Sequence, residues 1–505
     1  MCYHWRRMRL FTPALATLLA VARPVPATSI PAPCLLKATV SPDVFVASSM
    51  ASRCDEALSP VPLASAAAPV DAPSAAPDPR LTAAIEGVIA RDEKMRSAHW
   101  GFVIADDKGN VVYQRDAERL FNPASCMKLI TGAAATAALG ADKTFQTAIV
   151  TTGQVDAAGV LRGDLHLVGG GDPSLQTADL EAAVKRLGIK RVEGKVLVDD
   201  HAFDDARLGT GWSWNNFSAY YSAESDALTV DEGCALVRVS RSGAVAEPDT
   251  GYLTFDNHAT AGAETRLDVD RRLGTNVITI DGTVSAPSST WVTVHDPALY
   301  AGNVLKWLCK KSGIEVTGGV ERAVAPTGAR TLWQHASAPL AQLERQMLKE
   351  SDNVYAESLF RALAGGSSAQ APDREAQLLH IDEAHQIVDG SGLSRQDLVS
   401  PATLRNVVAQ YYRDAASRDL LPIAGVDGTL KRRMPSLQGR VSAKTGTLDN
   451  VSSLAGWLTL KDGRRYSFAW MCNGYPGAGV KATEDALMTA VDGALSRAAA
   501  PAPQG

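Results

Sequence analysis

The chain has 505 residues, with 50 Lys and Arg against 55 Asp and Glu and a formal net charge of −5. That length exceeds what one hydrophobic core ordinarily organises, so two or three domains are expected. The slightly acidic balance leaves no basic stripe for nucleic acid, and ordinary charged and tryptophan contents point to a globular protein.

From the N-terminus, Arg6, Arg7 and Arg9 precede a short apolar run, residues 10–22, which Pro13 interrupts. Val25, Pro26 and Ala27 then form a small-residue cleavage pattern. Residues 1–27 read as a signal peptide, because a spanning helix needs about 20 apolar residues and this run is shorter. No later segment is long and apolar enough to cross a bilayer. The expectation is an exported, periplasmic protein with no transmembrane segment in the mature chain, peripheral membrane association being left open. Residues 28–80 read as a disordered tether, since Pro60, Pro62, Pro69, Pro73, Pro77 and Pro79 alternate with Ala and Ser and such a composition buries no core.

Ordered structure is predicted to begin near Leu81, where Leu81, Ala84, Ile85, Val88 and Ile89 keep helical spacing. Residues 100–105, a turn at 107–110 and residues 111–113 predict a hairpin. Asn122-Pro123 is a lead-in turn to a helix that Ser125 opens, that runs through the Ala-rich residues 132–139 and that Gly140 ends. The stretch from Ser125 to Ser351 is too long for a loop. Residues 147–171, 190–200 and 277–294 within it alternate like strands, so a mostly-β insert is expected. Two helical patterns then meet at Ser351. At the end, residues 451–460, a turn at 461–464 and residues 466–472 form a second hairpin before a closing helix at 482–498.

The chemistry lies in three short motifs. In Ser125-Cys126-Met127-Lys128, position i+3 shares the helix face of the serine, so Lys128 can aim its amine at the hydroxyl. A serine is a poor nucleophile until a base takes its proton. A helix start, with unpaired N–H groups and a positive dipole, also suits a developing oxyanion. Ser351-Asp352-Asn353 can hold a hydroxyl and an amide at a cleft rim. Lys444-Thr445-Gly446-Thr447 reads as a strand whose Gly446 lets substrate backbone approach closely. Any one motif is commonly a surface turn or helix start. The three in this order are far more specific.

Other chemistries fit worse. There is no G-x-S-x-G elbow and no H-E-x-x-H pair, and Gly169-Gly170-Gly171 is not followed by a Lys-Ser/Thr helix, so no metal or other cofactor is expected. The aromatic group Trp212, Trp214, Phe217, Tyr220 and Tyr221 reads as core more readily than as a substrate surface. Among seven cysteines, Cys34 with Cys54, or Cys234 with Cys309, are candidate pairs in an oxidising compartment, with connectivity not deducible. Cys126 reads as a packed small residue.

The motifs are the S-x-x-K, S-x-N and K-T-G elements of serine acyl-transferases that recognise penicillin. With Asn122-Pro123-Ala124-Ser125, Gly170-Gly171-Asp172-Pro173-Ser174-Leu175, and residues 389–395 and 421–430, the sequence resembles one family. It is the D-alanyl-D-alanine carboxypeptidase/endopeptidase family, the class C low-molecular-mass penicillin-binding proteins or S13 peptidases, and the resemblance runs from about Leu81 to Ala499. It implies an α+β fold: a β-lactamase-like domain of antiparallel sheet flanked by helices, from residues 81–150 and 335–499. Residues 151–334 would be the insert, one or two further domains, one nested in the other.

The resemblance further implies that Ser125 attacks the penultimate D-alanine of peptidoglycan stem peptides, and of cross-links, and that β-lactams acylate it. Lys128 would be the base, its pKa depressed by burial and by Lys444. Ser351 would relay a proton to the leaving amine, Asn353 would orient Lys128 and bind the substrate amide, and Asp352 would be scaffold. Lys444, Thr445 and Thr447 would take the terminal carboxylate, and the amides of Ser125 and Thr447 would form the oxyanion hole. The rivals are a β-lactamase, for which no E-x-x-L-N setting follows Asn353, and an inactive penicillin-sensing or peptidoglycan-binding protein, against which the intact motifs argue.

Overall fold

A computed structural model describes residues 78–477 and 479–497. The expected signal peptide and nearly all of the expected tether lie outside the described residues, as do Cys34 and Cys54.

A five-stranded antiparallel sheet organises the catalytic part, in the order Val441–Leu448, Val451–Thr459, Arg465–Asn473, His99–Asp106, Val111–Arg115. Its hairpins follow from local chemistry. Asp106 accepts from the backbone N–H of Lys108 and Asn110 in the first, and Asp462 accepts from Arg464 N beside Gly463 in the last. The first hairpin pairs with the last strand among the described residues, Phe102 opposite Trp470.

Alternate side chains point to opposite faces, and both faces are buried. Phe102, Ile104, Leu454, Leu458, Phe468 and Trp470 pack with the first and last helices, Pro79–Ile89 and Lys481–Arg497, through Leu81, Ile85, Leu487 and Val491. Val103, Ala455, Trp457, Ala469 and Met471 face helices Met127–Leu139, Leu340–Glu350, Asn353–Ala362 and Pro401–Tyr411. This is an α+β domain closed by the two ends of the described chain.

The insert is mostly β, as expected. One five-stranded sheet runs Val320–Arg322, Val196–Asp199, Leu165–Val168, Gln146–Thr151, Arg330–Ala336. Between Val196–Asp199 and Val320–Arg322 in the chain lie a three-stranded sheet built on Cys234–Ser240 and a four-stranded sheet built on Val277–Val284. These sheets share one continuous core, in which Ile149 and Val198 belong to the same cluster as Val237 and Ile280. The predicted cut at 150/151 falls inside the strand Gln146–Thr151, which pairs with Arg330–Ala336; the junctions lie just outside that pair. Cys234 and Cys309 are not a disulfide. Both are buried free thiols.

Among the described residues no helix is long and apolar enough to cross a membrane.

Candidate active site

Ser125 sits in a 3₁₀ turn, Ala124–Cys126, that runs straight into the helix Met127–Leu139. The turn is forced. Ala124 has φ of 45°, a left-handed conformation that a non-glycine residue adopts only when its surroundings over-determine it. They do: Asn122 Oδ1 accepts from Ala124 N at 3.0 Å, and Ser453 Oγ donates to Pro123 O at 2.5 Å. Gly392, itself at φ +74°, lies so close that a Cβ there would collide with the Ala124 carbonyl. At the far end the helix stops at Gly140, φ +82°.

One turn on, Lys128 is fully buried, and its Nζ reaches three oxygens: Ser125 Oγ at 3.3 Å, Asn353 Oδ1 at 2.5 Å and the Ser391 carbonyl at 2.6 Å. Burial lowers its pKa to about 8, and the carboxylates of Asp389, Glu357 and Asp352 pull it partly back. Lys444, equally buried, donates to Ser351 Oγ at 2.9 Å and to the Thr445 carbonyl at 2.7 Å. Its pKa falls to about 7, through burial first and then repulsion by Lys128. Burial, rather than Lys444, is thus the leading cause at Lys128.

Ser351 occupies the left-handed residue, φ 64°, between helices Leu340–Glu350 and Asn353–Ala362. Asp352 caps the second helix by accepting from Val354 N and Tyr355 N, which is a scaffold role. Asn353 faces two ways. Its Oδ1 holds Lys128 and its Nδ2 donates to the Tyr221 carbonyl at 2.6 Å, tying the motif to the insert.

The strand Val441–Leu448 brings the third motif alongside, and the Lys444 carbonyl accepts from Cys126 Sγ at 3.2 Å. Cys126 is buried, its thiol pushed up by that burial, in keeping with a packed residue. Thr445 Oγ1 pairs with Thr429 Oγ1 at 2.8 Å, while Thr447 is exposed. Gly446 also faces the turn that carries Ser125. The place its Cβ would take is occupied by Ser453 Oγ and, at 2.5 Å, by Pro123 O, so it makes room for the turn carrying Ser125.

Of the aromatic group only Trp212 is core. Trp214 and Tyr220 are 76% and 64% exposed, and Tyr221 lies beside Asn353. The loop at 389–394 has no role assigned from sequence, although it supplies the Ser391 carbonyl. Its Asp-Gly-Ser-Gly composition, a turn former with two positions open to close backbone approach, is the available signal. Among the described residues no cluster of His, Cys, Asp and Glu is suited to holding a metal. A hydroxyl beside a neutral-prone amine, with a second hydroxyl on a second buried amine, is equipped for acyl transfer.

The family described as D-Ala-D-Ala carboxypeptidase 3 (S13) matches residues 81–495. A D-alanyl-D-alanine carboxypeptidase from Actinomadura sp. is 34% identical over 456 residues, 81% of this chain and 84% of its own. D-alanyl-D-alanine carboxypeptidase DacB from Haemophilus influenzae is 29% identical over 413 residues, 74% of this chain and 85% of its own. The crystal structure of penicillin binding protein 4 from Haemophilus influenzae superposes with a TM-score of 0.72 at 26% identity, covering 82% of this chain and 99% of that one. The same protein complexed with a β-lactam gives 0.67 at 25% identity.

Proposed function

The chain belongs to the D-Ala-D-Ala carboxypeptidase 3 (S13) family, and on that premise we propose how this serine-type carboxypeptidase of peptidoglycan uses its cleft. One contact carries the reading: Lys128 Nζ at 3.3 Å from Ser125 Oγ. As a neutral amine Lys128 takes the hydroxyl proton while Oγ attacks the carbonyl of the penultimate D-alanine. The amides of Ser125 and Thr447 receive the oxyanion, each such donor contributing on the order of 3 kcal/mol. The C–N bond then breaks as the proton that Lys128 took is relayed through Ser351, held by Lys444, to the departing amine, which leaves Lys128 neutral again. Water hydrolyses the resulting ester and restores Ser125.

The two lysines divide the labour. A terminal carboxylate arriving beside Lys444, Thr445 and Thr447 stabilises the ammonium at Lys444. That positive charge in turn disfavours a second one on Lys128, so substrate binding favours the base form where it is needed. A D-alanyl cross-link offers Ser125 the same carbonyl, so endopeptidase action is part of the proposal. A β-lactam acylates Ser125 likewise and keeps its leaving group tethered. The basic, apolar and small-residue pattern of residues 1–27 supports export to the periplasm, where such a substrate lies.

The test is release of D-alanine from a pentapeptide, with penicillin turnover measured in parallel. The proposal expects release by the native chain, none by Ser125→Ala, and slow penicillin turnover. Fast penicillin hydrolysis indicates a β-lactamase instead, and neither activity indicates a sensor.

A further inference from the structure

Behind Lys128, the loop at 389–394 joins the lead-in turn, the helix after Ser125 and the helix after Asp352. The Ser391 carbonyl accepts from Lys128, the Gly390 carbonyl accepts from Thr131 Oγ1 at 2.8 Å, and the Ser394 carbonyl accepts from Asn122 Nδ2 at 2.9 Å. Ser391 N donates to Glu357 Oε1 at 2.9 Å, on the helix that begins with Asn353. What shapes the loop is Asp389. Its fully buried carboxylate accepts from Gly392 N at 2.7 Å, Ser394 N at 2.7 Å and Ser391 Oγ at 3.3 Å.

The buried carboxyl of Asp397 also bonds to Asp389, and a further donor comes from the insert. Trp212 Nε1 donates to Asp389 Oδ2 at 2.8 Å, with the indole itself buried. Its turn is built tightly onto the loop: a Cβ at Gly211 would stand 2.8 Å from Ser394 Oγ, and one at Gly209 would run into the indole nitrogen. A charge-assisted bond in a dry site is directional and strong, so this contact fixes the carboxylate, and the carboxylate fixes the carbonyl that holds Lys128.

We propose that Trp212 and Asp389 are positioning residues that hold Lys128 in line with Ser125, making the insert a working part of the active site. The proposal rests on the acyl-transfer reading given above. Lys128 is faced by the carboxyl groups of Asp389, Glu357 and Asp352, the thiol of Cys126 and the amine of Lys444, and Asp389 is itself faced by the carboxyl groups of Glu357 and of Asp397, which is hydrogen-bonded to it. Asp389 stabilises the protonated amine, and the indole N–H damps that effect by sharing the carboxylate's charge. The two removals therefore act in opposite senses.

The experiment follows acylation of Ser125 by a fluorescent penicillin from about pH 6 to pH 10. It compares the full chain with Trp212→Phe, Asp389→Asn and the double variant, and uses Ser125→Ala as blank. Trp212→Phe is expected to slow acylation about tenfold and move its acid limb to higher pH. Asp389→Asn is expected to move the limb to lower pH, and the double variant to lose less than the product of the single losses. A purely structural role would lower the plateau and leave the limb in place. Trp212→Phe within about twofold of native with an unmoved limb, or losses that simply multiply, overturns the proposal. Should Asp389→Asn fail to fold, Gly209→Ala, which displaces the same indole, takes its place and must move the limb as Trp212→Phe does. A native chain that is not acylated at all sinks the acyl-transfer reading instead.

Discussion

Gly446→Ala is the most direct check on how the cleft is built. The added methyl would stand 2.5 Å from Pro123 O and closer still to Ser453 Oγ, whereas real Cβ atoms keep at least 3.0 Å. The Pro123 carbonyl, two residues before the nucleophile, must retreat by about half an ångström, and its bond from Ser453 Oγ weakens as it goes. Since a misplacement of about 1 Å can cost a hundredfold in rate, acylation is expected to fall roughly ten- to a hundredfold. Overpacking of this kind costs about 1–3 kcal/mol, enough to lower the melting temperature by a few degrees. Stopped-flow acylation by a fluorescent penicillin, read beside thermal unfolding, measures both. Native acylation with an unchanged melting point would mean that the turn does not lean on Gly446, and the geometric account of Ser125 would be wrong.

Acylation should rise with pH through a limb near 8, because the depressed Lys128 is a base only above its pKa, and a flat profile across that range would exclude it. Asn353→Ala removes an acceptor from Lys128 and a donor from the Tyr221 carbonyl, and should slow D-alanine release about ten- to a hundredfold. Asn353→Asp keeps the acceptor but adds negative charge, so its acid limb should move to higher pH. Lys444→Gln should raise KM for a pentapeptide acid at least about tenfold while barely changing that for its C-terminal amide, and equal losses would argue against carboxylate recognition. Gly392→Ala, at φ +74° and against the Ala124 carbonyl, should lower the melting temperature by more than Gly477→Ala, which has a similar φ of +71° but open space around it. Equal shifts in calorimetry would mean that backbone strain alone, and not the contact with Ala124, sets the cost.

Much of the site is legible in the sequence because covalent geometry fixes it. A spacing of three residues, across a 3₁₀ turn that runs into a helix, puts Lys128 beside Ser125, and a left-handed residue between two helices sets Ser351 and Asn353 at a rim. The five-stranded sheet is likewise announced by two hairpins whose turn residues, Asp106 and Asp462, cap their own loops. What stays hidden depends on neighbours remote in sequence. Ser391 acts through its carbonyl, a group every residue carries, so nothing in its identity marks it. That Gly446 also makes room for the turn of Ser125 is hidden because its crowding partners, Pro123 and Ser453, come from elsewhere in the chain. Trp214 and Tyr220 resemble core because an aromatic run does not reveal which ring turns outward.

The central strand of the catalytic sheet, Arg465–Asn473, is also its last to be synthesised. Asn473 then clasps Asn122, 351 residues earlier, through both the N–H and the carbonyl of that residue. Until the ribosome has delivered this stretch, the hairpin made first has one bare edge and the nucleophile turn lacks its clasp. A hydrolase made this way gains the clasp on its nucleophile turn only once strand Arg465–Asn473 has been delivered.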